Sequence, residues 1–218
     1  MKIKTCFILT VAGLLFYCGS SIAKELSELS INVQKMIYLA QQNKAVEASN
    51  VYKDFKNSEI KEFAQYLEEN PGSLPPFYFV VISDFIYKTD KDKAVFFYNF
   101  GKARAIEDTR MCKDKSAMQQ LFVYGMMAPD TVKYMQSKAS ESGYINNVFN
   151  KVIEWDNKYT NRVSPIWACY HGVSAVSSVP ELLPESEFAN IKADVHSMLL
   201  KSAQRAKKSP QGYSEDKN

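Results

Sequence analysis

Histidine and glycine are scarce in this chain, and the motifs that usually carry enzymatic chemistry are missing. There are only two histidines, His171 and His196, and the eight glycines are scattered singly. The sequence contains no glycine-rich phosphate loop, no Gly-x-Ser-x-Gly elbow, no His-Glu-x-x-His motif and no calcium-binding loop. We therefore expect no cofactor and no bound metal. An enzyme is the less favoured interpretation, although a missing motif does not exclude one.

Apolar runs long enough to cross a membrane are also missing. The apolar run at residues 6–17 lies between the lysines Lys2 and Lys4 and a set of small residues that ends at Ala23. This three-part order is typical of a secretory signal peptide cleaved after Ala23, and the run is too short for a comfortable membrane span. Lipid attachment at Cys18 is the alternative, which the bulky residues just before Cys18 disfavour.

The length that would remain after cleavage suits one domain. Removal of residues 1–23 would leave about 195 residues, enough for one domain with a substantial core. The segment 209–218 is polar and contains glycine and proline, a composition typical of disordered ends. We expect a signal peptide at 1–23, a single domain at 24–208 and a disordered tail at 209–218. The protein would then be periplasmic or secreted.

Neither sign of charge dominates. The chain has 27 basic and 24 acidic side chains, and loss of Lys2 and Lys4 with the leader would bring the net charge to about +1. A nearly neutral chain gives no support for a nucleic-acid partner or an anionic membrane surface.

Cysteine is used sparingly. Outside residues 1–23 only Cys112 and Cys169 remain, and in an oxidising compartment such a pair is expected to form one disulfide. Closing a loop of this length stabilises a fold by about 4 kcal/mol in the chain-entropy model. His171 lies two residues after Cys169, so a nucleophilic thiol with a histidine base is a second interpretation. No third, orienting residue is evident, and we favour the disulfide.

The densest aromatic and aliphatic segment, residues 75–117, predicts a helical hairpin at the centre of the core. The pair Pro75-Pro76 suits the start of a helix, which the pattern places at residues 77–87. A short polar turn leads to a second helix at 92–109, in which Ala94, Tyr98 and Gly101 share one face.

Apolar stripes at spacings of three and four predict further helices. They occur at residues 24–43, 45–55, 58–67, 116–124, 130–139, 144–155 and 186–207. No segment shows the sustained alternation of a strand. We therefore predict an all-α domain of about eight to ten helices, stacked as hairpins in a tetratricopeptide-like or irregular array.

The charged end of the second hairpin helix supplies candidate binding residues. Arg104 and Asp108 are four residues apart, so an ion pair within the helix is geometrically simple. Arg104, Asp108 and Arg110 could face a groove that recognises an acidic or mixed partner surface, but a solvated face or a pair that links helices is the favoured interpretation of each. Glu107 and Asp108 are adjacent, which is a poor arrangement for glycosidase-like acid and base work.

Aromatic residues supply the other candidates. The chain has 13 tyrosines and 13 phenylalanines, and large aromatics anchor protein interfaces. Most of them must fill the core. Tyr124, Tyr134 and Trp167 are the binding candidates that we expect to be exposed, together with Tyr144 and Tyr159.

One cluster of positions carries a resemblance to known proteins. It comprises Lys93 to Tyr98, Gly101, Arg104, Cys112, Asp114, Ser116 and Ala117, introduced by Pro75-Pro76. Over about a fifth of the chain it resembles an uncharacterised family of secreted helical proteins of Gram-negative bacteria, and in outline it is similar to tetratricopeptide or Sel1-like helical-hairpin proteins. Some of the latter are periplasmic immunity proteins that neutralise delivered toxins. The resemblance implies a helical binding scaffold and no catalytic residues.

The leading hypothesis is a periplasmic, disulfide-bonded, non-enzymatic protein that binds another protein, either a toxin or an envelope component. The first alternative is a cell-envelope hydrolase acting on peptidoglycan, with Glu107 and Asp108 as its acids. The second is a carrier of a small ligand in an apolar pocket between helices.

Overall fold

The computed structural model describes residues 25–208 and shows an all-α protein there, as predicted. The predicted signal peptide, Cys18 and the predicted tail at 209–218 lie outside the described residues and stay predictions. Within 25–208 there is no β-strand, and one isolated bridge joins Cys112 to Leu182. None of the helices in this range is long and apolar enough to cross a membrane.

Ten α-helices and four short 3-10 helices follow one another along the described chain. The α-helices are α1 Ile31–Gln41, α2 Ala45–Lys53, α3 Asn57–Glu69, α4 Phe77–Ile86, α5 Lys91–Arg110, α6 Tyr124–Met127, α7 Pro129–Lys138, α8 Tyr144–Lys158, α9 Ile166–Cys169 and α10 Phe188–Lys208. The 3-10 helices are Leu26–Glu28, Lys115–Val123, Val173–Val176 and Glu185–Glu187.

The predicted hairpin is present as α4 and α5, and its ends follow from local chemistry. Pro76 precedes the first residue of α4, where a missing amide hydrogen costs nothing. Asp90 caps α5, because its side chain accepts a hydrogen bond of 2.9 Å from the backbone amide of Lys93. A cap of this kind satisfies one of the free amides in the first turn.

Helix α5 is the axis of the domain. Every residue from 94 to 101 is buried, and α4, α7, α8, α9 and α10 all pack against it. Its aromatic rings meet those of neighbouring helices edge to face. Phe79 of α4 lies 4.9 Å from Phe100, and Trp155 of α8 lies 4.9 Å from Phe96, measured between ring centroids. Such pairs add to the hydrophobic stabilisation from burial.

Gly101 lets α4 and α5 approach closely. A Cβ atom at this position would lie 2.7 Å from the carbonyl oxygen of Pro76 and 2.9 Å from the Cβ of Phe79. Both neighbours are held by the backbone of α4 and cannot move independently of it. The small residue that the sequence placed on this face is therefore needed for the helix contact.

We expect Gly101→Ala to lower the free energy of unfolding by about 1–3 kcal/mol, because the added methyl group overpacks the α4–α5 contact. Gly125→Ala is the matched control. Its Cβ would come no closer than 3.9 Å to the Tyr98 hydroxyl, and alanine is favoured over glycine in a helix by up to about 1 kcal/mol. Urea denaturation of both variants checks this, and equal stability of the two would contradict it.

The segment after α5 differs from the prediction. A single helix was expected at 116–124, but the chain forms a 3-10 helix over Lys115–Val123 followed by the short α6. Asp114 starts the 3-10 helix by accepting a hydrogen bond from the amide of Ser116, and Pro129 at the start of α7 ends α6. This region forms one wall of the site described next.

Candidate functional site

A cavity of about 540 Å³ opens beside the N-terminal end of α4. Its size falls within the range of known ligand pockets. Four separated parts of the chain form its walls: the end of α1, the start of α4, the stretch from the 3-10 helix into α6, and α9 with the turn after it. The lining residues are Ala40, Asn43, Pro75, Phe77, Tyr78, Gln120, Val123, Tyr124, Trp167, Tyr170 and His171.

The wall formed by α9 is fixed to the end of α5 by two different bonds. Cys112 and Cys169 form the predicted disulfide, with an S–S distance of 2.10 Å and a Cα–Cα distance of 5.4 Å. In addition, the Trp167 indole Nε1 donates a hydrogen bond of 2.7 Å to Asp108 Oδ2. These bonds hold the Trp167 ring in place against the cavity.

The turn after α9 is held by a second set of hydrogen bonds. Asp114 accepts hydrogen bonds from the Ser116 hydroxyl at 2.7 Å and from the amides of Ser116 and Ser174 at 2.9 Å and 2.8 Å. These bonds, that of the Ser116 hydroxyl above all, hold the pKa of Asp114 well below its usual range. The Ser116 hydroxyl accepts from the amide of Val173 at 2.8 Å. Gly172 lies so close to Asp114 that a Cβ would come within 2.5 Å of its carboxylate. These contacts hold in place the turn that carries the lining residues Tyr170 and His171.

The cavity is mostly apolar, and the polar groups that it holds are uncharged at neutral pH. None of its lining residues is Lys, Arg, Asp or Glu. The His171 ring packs edge to face on Trp167, and partial burial lowers the pKa of His171, so its neutral form dominates at pH 7. The hydroxyl of Tyr124 is buried and has no hydrogen-bond partner among the described residues.

A buried network of charged side chains lies behind the cavity. Arg104 Nε donates to Asp156 Oδ1 at 2.8 Å, and Arg162 Nη1 donates to Glu107 Oε2 at 2.8 Å. Arg162 also donates to Asp108, the residue that holds Trp167. The network therefore connects the core of the domain to the cavity wall.

Helix α10 completes this network. Lys192 Nζ lies 2.7 Å from Asp156 Oδ2, and His196 Nε2 lies 3.0 Å from the same oxygen. Burial by itself raises the pKa of Asp156, but the hydrogen bonds from His196 and Lys192 and the charge of Arg104 outweigh burial and bring the pKa to about 2.

The geometrically simple ion pair between Arg104 and Asp108 within α5 does not form, and Arg104 instead makes a pair between helices, which was the favoured interpretation. Arg104 bonds to Asp156 and also to the backbone oxygens of Pro71 and Tyr159, whereas Asp108 bonds to Arg162 and Trp167. The reason is that α5 is surrounded at this level, so its charges meet partners from other segments. Both residues are buried, which places them behind the cavity and away from any surface groove.

The other predicted binding residues separate into two groups. Tyr124 and Trp167 were expected to be exposed; both are buried, but the fold brings them to one cavity. Tyr134 is on α7, where its hydroxyl donates to Asp92 at 3.3 Å, and Arg110 contacts the Met198 sulfur at 3.9 Å. Neither Tyr134 nor Arg110 is among the residues that line the cavity.

One part of the network has the composition of a metal site. Glu107, Asp156 and His196 each place one possible ligand atom within 4.8 Å of the others. Their carboxylates already contact the cations of Arg104, Arg162 and Lys192, so the charges balance without an ion. Burial and the nearby charge of Asp156 raise the pKa of Glu107. We interpret the trio as structural.

The two catalytic interpretations of the sequence also meet physical obstacles. The Cys169 sulfur is bonded to Cys112, so it is not a free nucleophile for His171. Glu107 and Asp108 share Arg162 as a partner and are nearly inaccessible to water, a poor setting for attack by a water molecule.

Comparison of the chain with protein-family models, with curated proteins and with solved structures finds no match. The resemblance to secreted helical proteins therefore stays a prediction.

We expect Asp156→Asn to lower the free energy of unfolding at pH 7 by about 3–5 kcal/mol, because Arg104 and Lys192 lose their buried counter-charge. The control is Glu181→Gln, which removes the exposed pair with Lys113 and should change stability by less than about 1 kcal/mol. Chemical denaturation at pH 7 measures both. Equal stability of the two variants would contradict a structural role for the network.

The same carboxylate makes stability depend on acid pH. The pKa of Asp156 is about 2 in the folded protein and about 3.9 in an unfolded chain. Its contribution is therefore present above about pH 4 and is lost as the pH falls towards 2. Between about pH 4 and pH 2, we therefore expect the free energy of unfolding to fall less in Asp156→Asn than in the unchanged protein.

Proposed function

We propose that the protein is a non-enzymatic, periplasmic binding protein that captures another protein at the cavity and at the apolar surface around the mouth of the cavity. The carrying observation is a set of large apolar side chains exposed beside the lining residues. Phe122 is 83% exposed and Met126 is 71% exposed, on the stretch that also bears Val123 and Tyr124; Tyr170 lines the cavity and is 59% exposed. Clustered exposed apolar groups mark interaction surfaces.

The turn after α9 extends this apolar surface. Val173 and Val176 are both exposed, and their 3-10 helix is fixed by the hydrogen bonds of Asp114 and Ser116. A surface held in place before binding loses little conformational freedom on association, which favours affinity. This arrangement supports capture of a folded partner or of an apolar segment that a partner exposes.

The disulfide and the leader pattern support the proposed location. A bond between Cys112 and Cys169 persists in an oxidising compartment, and the first 23 residues have the order of a secretory signal. A delivered toxin or a component of the cell envelope is the partner class found there. Neutralising a toxin would require that the binding surface around the cavity cover a functional surface of that toxin.

We expect the chain from Lys24 to Asn218, immobilised, to capture one stoichiometric protein from envelope extract or culture fluid, and Phe122→Ser to weaken that capture at least tenfold. The matched control is Ile31→Ser, because Ile31 is 75% exposed but lies at the opposite end of α1 from Ala40. Apolar anchors at the centre of an interface typically account for about 2 kcal/mol or more. Equal capture by both variants, or none by the unchanged protein, would refute the proposal.

A further inference from the structure

The cavity has room for much more than one side chain. A cavity of about 150 Å³ is enough to hold a benzene ring, whereas this one measures about 540 Å³, within the range of pockets that enclose whole ligands. Under the proposed function, the partner must therefore fill the cavity either with a stretch of its polypeptide or with a long group attached to that polypeptide.

The buried part of the lining offers an occupant few hydrogen-bond donors. The Trp167 indole already donates to Asp108 at 2.7 Å. The Tyr124 hydroxyl oxygen has no accessible surface, so no atom of an occupant reaches it. Among the side chains of the buried lining residues in the described chain, Tyr78 alone has a donor that neither condition removes.

Gln120, which is partly buried, has its donors occupied as well. Its amide nitrogen donates to the carbonyl oxygens of Ala117 and Ala168, at 3.0 Å and 3.1 Å, and a carboxamide nitrogen has two hydrogens. Each peptide group of an entering segment brings a carbonyl oxygen that needs a donor once water is excluded. One tyrosine hydroxyl cannot serve a whole segment, and a buried polar group without a partner is unfavourable. The lining therefore favours an occupant without peptide bonds.

Charge narrows the occupant further. No lining residue is Lys, Arg, Asp or Glu, so a buried carboxylate or ammonium group would meet no counter-charge. The polar lining residues Asn43 and His171 are exposed and thus lie where the cavity opens to water. An occupant with an apolar body and one polar end would keep that end at the mouth.

A protein carries a long hydrocarbon without peptide bonds when it is modified with lipid. A fatty acyl chain is uncharged along its length and is joined to the protein at one polar end. A chain alone would leave Phe122 and Met126 uncovered at 83% and 71% exposure, whereas the polypeptide that carries the chain would cover them.

We propose that the cavity binds the fatty acyl chain of a lipid-modified partner protein, with the chain among the rings of Phe77, Tyr78 and Trp167 and its polar attachment at the mouth. This inference rests on the proposed function and names the part of the partner that enters. The apolar surface around the mouth then contacts the polypeptide next to the attachment.

The test uses hexyl, octyl and decyl maltoside, each below its micelle concentration, titrated into the purified chain from Lys24 to Asn218. The head of each probe is uncharged and strongly polar, so it stays at the mouth. Burial of one CH₂ group contributes about 0.8 kcal/mol, so affinity should rise about fourfold for each CH₂ that enters. Calorimetry measures the affinity, and the indole N–H resonance of Trp167, one of two tryptophans, reports binding at the cavity. Affinity that is independent of chain length would overturn the inference.

A charge placed in the lining should abolish this preference. Val123 lines the cavity and is 42% exposed, so Val123→Asp can fold, and it should weaken binding of decyl maltoside at least tenfold. The matched control is Val179→Asp, because Val179 is 80% exposed and is not among the lining residues; its affinity should be unchanged. Thermal unfolding establishes that both variants are folded. Equal affinity of the two variants would refute binding in the cavity.

Capture experiments distinguish a chain on a protein from a free lipid. Decyl maltoside should release the captured partner, and the mass of that partner should include an acyl group. A captured protein that carries no acyl group and stays bound would refute the inference but leave the proposed function standing. Maltoside binding with the expected dependence on length, without capture of any protein, would refute the proposed function and with it the protein source of the chain, and would assign the cavity to a free lipid.

Discussion

The buried carboxylate of Asp108 connects the core of this protein to its candidate site. One oxygen accepts from the Trp167 indole and the other from the Arg162 guanidinium, so a single side chain on α5 holds both the cavity wall and the ionic network. A buried carboxylate with charge-assisted partners is strongly directional. The orientation of α9 is thereby determined by α5, the helix against which α4, α7, α8 and α10 also pack.

Much of the fold could be predicted because a helix leaves a local pattern of apolar residues in the sequence. The stripes at spacings of three and four identified the α4–α5 hairpin, and the small residue Gly101 indicated where two helices meet. The pairing of Cys112 with Cys169 followed from their number and the expected compartment. The 3-10 helix at Lys115–Val123 was missed, because its three-residue period differs little from a helical stripe over so short a length.

Only some residues of the candidate site could be predicted from the sequence. Tyr124 and Trp167 were selected as aromatic anchors, and the fold brings them to one cavity, but they are buried in its wall. Asp156 and His196 were not recognised as partners of α5, since the pair Arg104–Asp156 spans 52 residues and periodicity carries no information over that distance. Gln120 gave no signal, because its place in the cavity lining depends on its hydrogen bonds to the carbonyl oxygens of Ala117 and Ala168, which only the folded chain brings within reach.

The cavity draws its walls from segments near residues 40, 76, 122 and 169, so no local part of the chain can form it. Contacts of such high sequence separation are made late in folding, when the entropy of closing the intervening loops has been overcome. A partly folded or truncated chain would therefore have no affinity for the occupant. By mass action, an occupant that binds only the finished cavity stabilises all four segments together, so a captured partner would also protect its binder against unfolding.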